Sequence, residues 1–530
     1  MTDFDFIIVG SGAAGGAAAW KLCAHGFKVV CLERGPEIDP STYPTTQPDW
    51  EILKKSQSNP VISERQNEFD YPVDDSASPI AICNYNAVGG STILYSGHFP
   101  RFRPKDFSLK TDENIAEDWP LSYADLKPWF EVNEYQMSVS GLEGDPYYPD
   151  VKNLLPPVPL GQTGTILAKA FNRKNWHWWP SYSAISTTNR RGRAACMNLG
   201  PCNTGCPQGA KSTTDNTYIP RAKAMGLKMI PTAAVSKILV EGGRATGVVW
   251  YDRASKPQHM RARHGVILAA SAIGTPRLLL NSATEDHPNG LANRSDRVGR
   301  NLMIHPLGYV EGIFPEALDT HIGPQGCMLY SLEHYRTSQA DHELGYMMHA
   351  LRGSGPVETA LSAFQRRKLK FGNDLYQDFD DFFHKQVVIS IICEDMPELE
   401  NRIVLDFKNN DYTGTPGIKV HYKMNNNTKK MMTHGMGRAR EVMAEAGATR
   451  SYASGPVRNA GWHTMGTACM GRDPAKSVVD QTGQAHDVPG LYVVDSSVFV
   501  TGSCVNPANT IQSVALYLSD RIAQQVKHGS

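Results

Sequence analysis

The sequence predicts a two-domain protein of the α/β class, α+β overall, and three observations support this fold class. The chain opens with an apolar run over residues 5–9 that leads through a glycine-rich turn into an alanine-rich stretch, the order of strand, turn and helix. Residues 310–455 contain short strand-like runs without a comparable turn. At 530 residues the chain exceeds a single typical core, so two domains are expected.

The glycine-rich turn reads GSGAAG over residues 10–15 and precedes a predicted helix over 16–25. Its first glycine allows the tight turn, its second lets backbone N–H groups approach a pyrophosphate, and its third lets the helix pack closely on the strand. A second strand, 28–32, ends in Glu33, whose carboxylate is placed to accept hydrogen bonds from an adenosine ribose. This pattern predicts a dinucleotide site for FAD or NAD rather than NADP. The contacts expected in the turn are Gly10, Gly12, Ala13, Ala14 and Gly15.

A second glycine-rich loop follows Asn86 and leads into the basic, proline-punctuated segment FPRFRPKDF. Such a loop can lay its backbone against a flat ring system or a diphosphate, although on its own it is more typical of a surface turn. The loop residues expected at the cofactor are Gly89, Gly90, Ser91 and Thr92.

The middle of the chain supplies further elements of both domains. Residues 118–140 predict a helix capped at Ser122. Residues 226–252 and 264–270 predict a hairpin and a returning strand of the nucleotide-binding domain. The runs LGYMMHA, QVVISIICE and RIVLDF predict a sheet that forms the second domain, and residues 351–381 are expected to form helices or a loop insertion over its mouth.

Composition and charge exclude several classes of function. The 53 basic and 53 acidic residues give a net charge of zero. The sequence therefore indicates neither a nucleic-acid-binding surface nor a polybasic membrane-binding patch. The sequence contains no run of about eighteen apolar residues, so no membrane-spanning helix is expected. Its first residues do not have the pattern of an export signal, so none is expected. A cytoplasmic protein is expected. Buried free thiols, as in a reducing compartment, are expected at Cys23, Cys31, Cys83, Cys327, Cys393, Cys469 and Cys504.

Five ordered segments resemble the glucose-methanol-choline (GMC) oxidoreductases over almost the whole chain. They are GSGAAGG with Glu33, GGST with FPRFRPKDF, SAIGTPRLLLNSA, VGRNLMIHP, and the C-terminal stretch from GWHTMG to VNPANT. The third agrees with a family signature except at its last position, where Ala283 replaces glycine. The resemblance implies FAD, bound without a covalent link, because Ile93, Leu94 and Tyr95 stand where some relatives attach the flavin through histidine.

The resemblance also implies an architecture and a reaction. A Rossmann-like FAD-binding domain would comprise residues 1–115, 190–310 and 456–530, and a substrate-binding domain with lid segments would comprise 116–189 and 311–455, in a p-hydroxybenzoate hydroxylase-like arrangement built on an antiparallel sheet. The reaction would be oxidation of an alcohol by hydride transfer to flavin N5, with O2 or an external electron acceptor as oxidant.

Site residues in the C-terminal stretch follow from the chemistry and the resemblance together. An alcohol oxidation needs a general base and a group that orients the oxygen, and histidine is neutral near pH 7. The resemblance places the base at His463 and its partner at Asn506, whose amide can donate to the oxygen; Asn506 followed by Pro507 is also typical of a helix cap. Asp495 either contacts the flavin ribityl chain or caps a turn. Val235 and Pro507 complete the expected cofactor contacts.

Three cysteines form a C-x5-C-x3-C-P pattern, at Cys196, Cys202 and Cys206. Thiolates in such a loop can bind an iron–sulfur cluster, and the spacing resembles the three-iron [3Fe-4S] loop of FAD-dependent glucose dehydrogenases. The alternative is a structural loop without metal; zinc is disfavoured. A small partner subunit would accompany the cluster in such dehydrogenases, and export to the periplasm would then depend on that partner.

The substrate prediction rests on aromatic residues and on the resemblance. Tryptophans at 176, 178 and 179, and Trp462 beside the expected base, are typical either of a carbohydrate pocket or of interface packing. Several segments are most similar to bacterial glucoside 3-oxidases, 3-dehydrogenases and C-glycoside oxidases. The prediction is oxidation of a pyranoside secondary hydroxyl, at C3, to a ketone. The alternatives are an aryl or aliphatic alcohol oxidase, and a non-catalytic flavin/Fe–S electron-transfer subunit.

Overall fold

The computed structural model describes residues 4–65, 67–336, 341–352, 355–365 and 369–529. The strands in those ranges are β1 (Phe4–Val9), β2 (Val29–Leu32), β3 (Val73–Asp74), β4 (Trp179–Pro180), β5 (Lys228–Ile230), β6 (Ala234–Glu241), β7 (Arg244–Tyr251), β8 (Pro257–Leu268), β9 (Met303–Ile304), β10 (Leu307–Ile313), β11 (Leu329–Ser331), β12 (Tyr346–Leu351), β13 (Gln386–Cys393), β14 (Arg402–Asn410), β15 (Pro416–His421), β16 (Arg450–Ser454), β17 (Thr464–Met465) and β18 (Leu491–Val493).

The α-helices in the same ranges are α1 (Ala13–Ala24), α2 (Trp50–Leu53), α3 (Leu109–Glu113), α4 (Tyr123–Gln136), α5 (Gly161–Arg173), α6 (Tyr218–Ala224), α7 (Ser271–Asn281), α8 (Pro356–Gln365), α9 (Leu375–Asp380), α10 (Asn426–Glu445) and α11 (Ala508–His528). Among the helices so described, none combines the length and the apolar character needed to cross a membrane.

The first sheet has the order β5-β2-β1-β8-β7-β6, and β18 also pairs with β8. β1 runs parallel to both β2 and β8, and β18 runs parallel to β8. β1, β2, β18 and the last four residues of β8 are largely apolar and buried, as expected of parallel strands covered by helices, whereas the first part of β8 is polar and exposed. Because parallel strands end at the same edge of a sheet, the residues after β1, β2, β8 and β18 converge there.

The second sheet is antiparallel throughout, with the order β16-β10-β13-β12-β11-β4. α10 packs on it through a face of methionine, valine and alanine side chains. The expected sheet over 310–455 is therefore confirmed for the runs LGYMMHA and QVVISIICE. The expectation is wrong for RIVLDF, since β14 pairs with β15, and β15 with β3, in a separate three-stranded sheet.

Several local predictions are confirmed. α4 begins after Ser122, whose hydroxyl accepts a hydrogen bond from the Asp125 amide while the Asp125 carboxylate accepts from Ser122 N. β6 and β7 form the predicted hairpin, and β8 returns beside them. α8 and α9 occupy much of the 351–381 segment, of which residues 353–354 and 366–368 lie outside the described residues. The seven scattered cysteines are free and buried.

A buried ion pair joins the segment after the second glycine-rich loop to α4. Arg101 donates from Nε and Nη2 to the two carboxylate oxygens of Glu134, both at 2.6 Å, and from Nη1 to Tyr123. The side chains of the pair are 1% and 6% exposed. Asn509 of α11 donates to the same carboxylate, so three segments distant in sequence meet here.

Replacing Arg101 with methionine is expected to lower the free energy of unfolding by about 3–5 kcal/mol, because Glu134 is left buried without its cation. Urea unfolding of the holoprotein measures the change. Arg253→Met is the matched control, since Arg253 pairs with Glu68 in solvent, with side chains 74% and 64% exposed, and should cost less than about 1 kcal/mol. Equal losses in the two variants would contradict the prediction.

Candidate active site

A cavity open to solvent lies at the carboxyl ends of β1, β2, β8 and β18, the edge at which parallel sheets bind dinucleotides. The sequence-predicted residues in its wall are Gly10, Gly12, Ala13, Ala14, Glu33, Gly90, Ser91, Val235, His463, Asp495 and Pro507. The structure therefore brings together residues from both ends of the chain. Gly15, Gly89, Thr92 and Asn506 are outside this wall.

The first glycine-rich turn shows why particular positions lack a side chain. Gly10 has a φ of 94°, and a Cβ there would lie 2.5 Å from the carbonyl oxygen of Ala269. A Cβ on Gly12 would meet only the Cα of Gly90, at 3.8 Å, so this glycine leaves free space on the cavity side. The residues present thus fit a cofactor whose pyrophosphate approaches the start of α1.

Gly15, Gly89 and Thr92 lie behind the cavity wall and stabilise the two glycine-rich loops. A Cβ on Gly15 would lie 1.9 Å from the carbonyl oxygen of Gly10, which is the close helix–strand packing that the sequence predicts. Thr92 donates its hydroxyl to the carbonyl oxygen of Gly89 at 2.6 Å, closing the second glycine-rich loop. Gly89 N donates to the hydroxyl of Ser11, so the two loops are joined directly.

Glu33 ends β2 at the cavity and is 5% exposed. Its carboxylate accepts hydrogen bonds from the amide and the hydroxyl of Ser11, both at 2.8 Å, and from the amide of Gly35 at 3.0 Å. Burial raises the pKa of Glu33, and these donors oppose that rise. The carboxylate is therefore held rigidly at the place where the sequence predicts an adenosine ribose, with lone pairs remaining for a ligand.

Asp495 follows β18 and lines the same cavity. One carboxylate oxygen accepts from the amide of Ser271 and the hydroxyl of Thr275, at 3.0 and 2.6 Å, and the other accepts from the amide and hydroxyl of Ser497. Asp495 thus caps the short 3-10 helix Ser496–Val498 and ties it to the first turn of α7. The turn-capping alternative is confirmed, and contact with the ribityl chain stays a prediction.

His463 lies in the cavity wall just before β17. Its Nδ1 is 3.1 Å from Nδ1 of His305, and its Nε2 is 3.2 Å from the amide nitrogen of Asn506. Burial, together with the neighbouring His305 and His349, lowers the pKa of His463 well below its usual range. The ring is therefore neutral at pH 7, the state that a general base requires.

Asn506 contributes to the site and not to a helix cap. α11 begins at Ala508 and its N-terminal cap position is Pro507, which makes no side-chain cap bond, so the capping alternative for Asn506 is wrong. The amide nitrogen instead donates to His463. Its Oδ1 is buried and has no hydrogen-bond partner among the described residues. The amide nitrogen is thus held against the predicted base, and Oδ1 is left free to accept a hydrogen bond.

Three histidines near His463 were missed as site residues. His305 occurs in the VGRNLMIHP segment, whose final His-Pro was the available signal. His98 and His349 stack with ring centroids 4.2 Å apart, and neither ring nitrogen of His98 has a protein partner among the described residues. Burial, His349 and His463 lower the pKa of His98. These two come from segments 251 positions apart, so no local pattern reveals them.

The tryptophans contribute unequally. Trp462 lines the cavity beside His463, as expected. Trp178 and Trp179 donate their indole N–H groups to Asn172 and to the Leu142 carbonyl, and Trp176 packs against His334. None of those three lines the cavity, because all three pack against the hydrophobic cores. The packing alternative therefore fits all three, and a carbohydrate pocket at these tryptophans stays a prediction.

The cysteine loop lies beside the second glycine-rich loop. Cys196, Cys202 and Cys206 line one small cavity and are free and partly exposed. In the described ranges no group of three or more His, Cys, Asp or Glu side chains is arranged to hold a metal ion, so the thiols do not form a ready ligand set. The buried Lys211 ammonium donates to the carbonyl oxygens of Ile93 and Cys202, which fixes the loop structurally.

The fold and this site define a flavoprotein oxidoreductase: a dinucleotide cavity at the edge of a parallel sheet, with a neutral histidine in its wall and an amide donor that contacts this histidine. Residues 4–307 match the N-terminal GMC oxidoreductase model and residues 397–515 match the C-terminal one. The chain belongs to the GMC oxidoreductase family. It is accordingly an FAD enzyme that oxidises alcohol groups.

Individual relatives agree with this assignment. The 2-methyl-1,2-propanediol dehydrogenase of Mycolicibacterium austroafricanum is 35% identical, covering 98% of this chain and 95% of that protein. The fructose dehydrogenase large subunit of Gluconobacter japonicus is 26% identical, covering 99% and 98%. The formate oxidase of Aspergillus oryzae superposes with a TM-score of 0.70 at 14% identity, covering 99% and 98%, which shows the shared fold.

Proposed function

We propose that this protein oxidises a secondary hydroxyl of a sugar or glycoside, the C3 hydroxyl of a pyranoside, to a ketone. The observation that carries the proposal is the convergence of His463 Nε2 and the Asn506 amide, 3.2 Å apart, beside the flavin cavity. Removal of a hydroxyl proton and orientation of its oxygen need these two groups within reach of one atom.

His463 and Asn506 have different roles in this reaction. Nε2 of His463 accepts the hydroxyl proton. The lowered pKa keeps this ring unprotonated near pH 7, so its lone pair is present. The amide of Asn506 donates to the same oxygen as negative charge develops there and never competes for the proton. Bound FAD supplies the acceptor for the hydride. Gly12, Glu33 and Gly90 in the cavity wall would hold that cofactor.

The sugar substrate is supported by chemistry at the site and by the relatives. Both ring nitrogens of His98 and Nε2 of His349 are buried and have no partner among the described residues, and such groups require hydrogen bonds to a polar ligand or water. One relative is named for a diol and another for a sugar, both of which carry several hydroxyls. A small aliphatic diol is the second candidate, because the relative that is 35% identical is named for one.

Substrate class and electron acceptor can be tested in one panel. Methyl β-D-glucopyranoside, its 3-deoxy analogue, 1,2-propanediol and benzyl alcohol are each assayed in air and with a quinone dye. Turnover of the glucoside to a 3-keto product, with none of the 3-deoxy analogue, is the expected result. Turnover of only the diol or only benzyl alcohol would refute the sugar proposal. Peroxide formation identifies O2 as acceptor, and dependence on the dye identifies an external one.

Non-covalent FAD is a further part of the proposal. His98, the nearest histidine after the second glycine-rich loop, is stacked on His349 and is not in the wall of the cofactor cavity. FAD is expected to leave the protein on acid precipitation. Yellow colour that stays with the precipitated chain would contradict this.

The iron–sulfur cluster stays a prediction, and the geometry of the three thiols does not favour it. If it is present, the purified protein should contain iron and acid-labile sulfide and absorb broadly beyond the flavin bands, and Cys202→Ser should remove both signals. A purely yellow protein without iron would reject the cluster and leave the loop with its structural role.

A further inference from the structure

His305 lies opposite His463 across a two-stranded ladder. β9 pairs with β17 in antiparallel register, with Ile304 opposite Thr464. One step further along both strands places residue 305 opposite residue 463. The two imidazoles therefore meet, with their Nδ1 atoms 3.1 Å apart and their rings nearly perpendicular, at 81°.

The far side of the His305 ring faces a carbonyl oxygen. Its Nε2 is 2.9 Å from the backbone oxygen of Gly502. A Cβ on Gly502 would come within 3.3 Å of that nitrogen, so a glycine allows the approach. A carbonyl oxygen can only accept, and hence Nε2 of His305 carries the proton. A neutral imidazole has one N–H, which leaves Nδ1 of His305 as an acceptor.

The same reasoning determines the tautomer of His463. Because Nδ1 of His305 accepts, Nδ1 of His463 donates the proton between them. Nε2 of His463 then carries a lone pair, and the Asn506 amide, 3.2 Å away, is the donor that matches it. Burial lowers the pKa of His305 to about 4 and lowers that of His463 as well, so both rings are neutral near pH 7. Each of the three hydrogen bonds, His305 to the Gly502 carbonyl, His463 to His305, and the Asn506 amide to His463, thus has one donor and one acceptor.

We propose that His305 is a positioning residue that holds His463 in the Nδ1–H tautomer, so that Nε2 of His463 keeps the lone pair that accepts the substrate proton once the substrate hydroxyl replaces the Asn506 amide there. The inference rests on the proposed function and names the atom that acts in it. When the hydroxyl proton arrives at Nε2, the His463 ring becomes a cation. Its Nδ1–H bond to His305 then becomes charge-assisted, which stabilises the state in which the proton has moved.

A matched pair of substitutions separates this role from packing. Asparagine and leucine have nearly the same shape, and both remove the bond to Gly502. Only His305→Asn keeps an oxygen where Nδ1 of His305 stands. His305→Asn is therefore expected to retain kcat to within several-fold of the native enzyme, whereas His305→Leu should lose about 10- to 100-fold, by analogy with the loss seen when the partner that orients a metal-binding imidazole is removed. KM should change little in either.

The tautomer itself is read from nitrogen-15 NMR of the holoenzyme labelled at histidine, with the His463 signals assigned by comparison with His463→Ala. The expected result is a protonated Nδ1 and an unprotonated Nε2 for His463 in the native protein and in His305→Asn, and a mixture in His305→Leu. Protonated Nε2 in the native enzyme would overturn the inference, whether or not either variant folds.

Activity and tautomer can fail separately. If no alcohol is turned over while His463 shows the Nδ1–H tautomer, the proposed function falls and the inference about His305 stands. If alcohols are oxidised while the asparagine and leucine variants have equal kcat and equal NMR spectra, the proposed function stands and His305 is reduced to a packing residue.

Discussion

Replacing His463 with alanine is expected to lower kcat by at least about two orders of magnitude, because the hydroxyl proton then has no acceptor at the reacting oxygen. FAD should remain bound, since the cavity wall is otherwise intact. The measurement is steady-state turnover of the substrate found in the panel, with flavin content determined on the same preparation. KM should change much less than kcat, because the proton is transferred in the transition state.

The matched control for this variant is His259→Ala. His259 is exposed on β8, in the half of the strand that pairs with the hairpin, far from the cavity wall. Its substitution should leave kcat and flavin content unchanged. Full activity in His463→Ala would show that the proton acceptor is another group, and the nearby His98 and His349 would then be the first to examine.

Substituting alanine for Gly12 is expected to weaken FAD binding by about ten- to a hundredfold while the fold is retained. The new Cβ meets only the Cα of Gly90, at an ordinary 3.8 Å, and so causes no internal clash. It does fill the space through which backbone N–H groups reach the pyrophosphate. Each such charge-assisted bond contributes about 1.5–3 kcal/mol, and losing one accounts for the expected change.

FAD affinity is measured by titrating the apoprotein and following flavin fluorescence, and stability is measured by thermal unfolding of the apoprotein. Gly437→Ala in α10 is the control, since a Cβ there meets no atom of the described residues within 4 Å. It should leave FAD affinity unchanged. Native-like FAD affinity in Gly12→Ala would mean that the pyrophosphate does not lie against the start of α1.

Local patterns in the sequence predict much of the fold. The run 5–9 with its glycine-rich turn became β1 and α1, and Glu33 stands at the end of β2, because a parallel strand buried on both faces is apolar along its whole length. The helix cap at Ser122 is likewise predictable, because it depends only on residues within one turn of the helix start. RIVLDF was assigned to the wrong sheet because strand pairing depends on long-range partners that a short run does not encode.

The candidate site was predictable only where a motif carries it. His463, Asn506 and Asp495 were named from the resemblance, while His305 was overlooked because its role depends on pairing between β9 and β17, far apart in the chain. The contact made by Asn506 could not be predicted from local sequence either. Asn before Pro is typical of a helix start, and only the tertiary structure shows that the Asn506 amide contacts His463. The tryptophan run does not distinguish a pocket from a packed interface, because indoles suit cores and pockets alike.

The order in which the strands of the first sheet lie has a consequence for biosynthesis. β18 lies beside β8, and α11 packs against α1 and α4, so elements from the last part of the chain complete a structure begun by its first. A nascent chain in which residues 4–455 have left the ribosome already has the glycine-rich turn, but it lacks His463, Asp495 and Asn506. We therefore expect catalytic activity to require translation through α11, and a product truncated before β17 to be inactive.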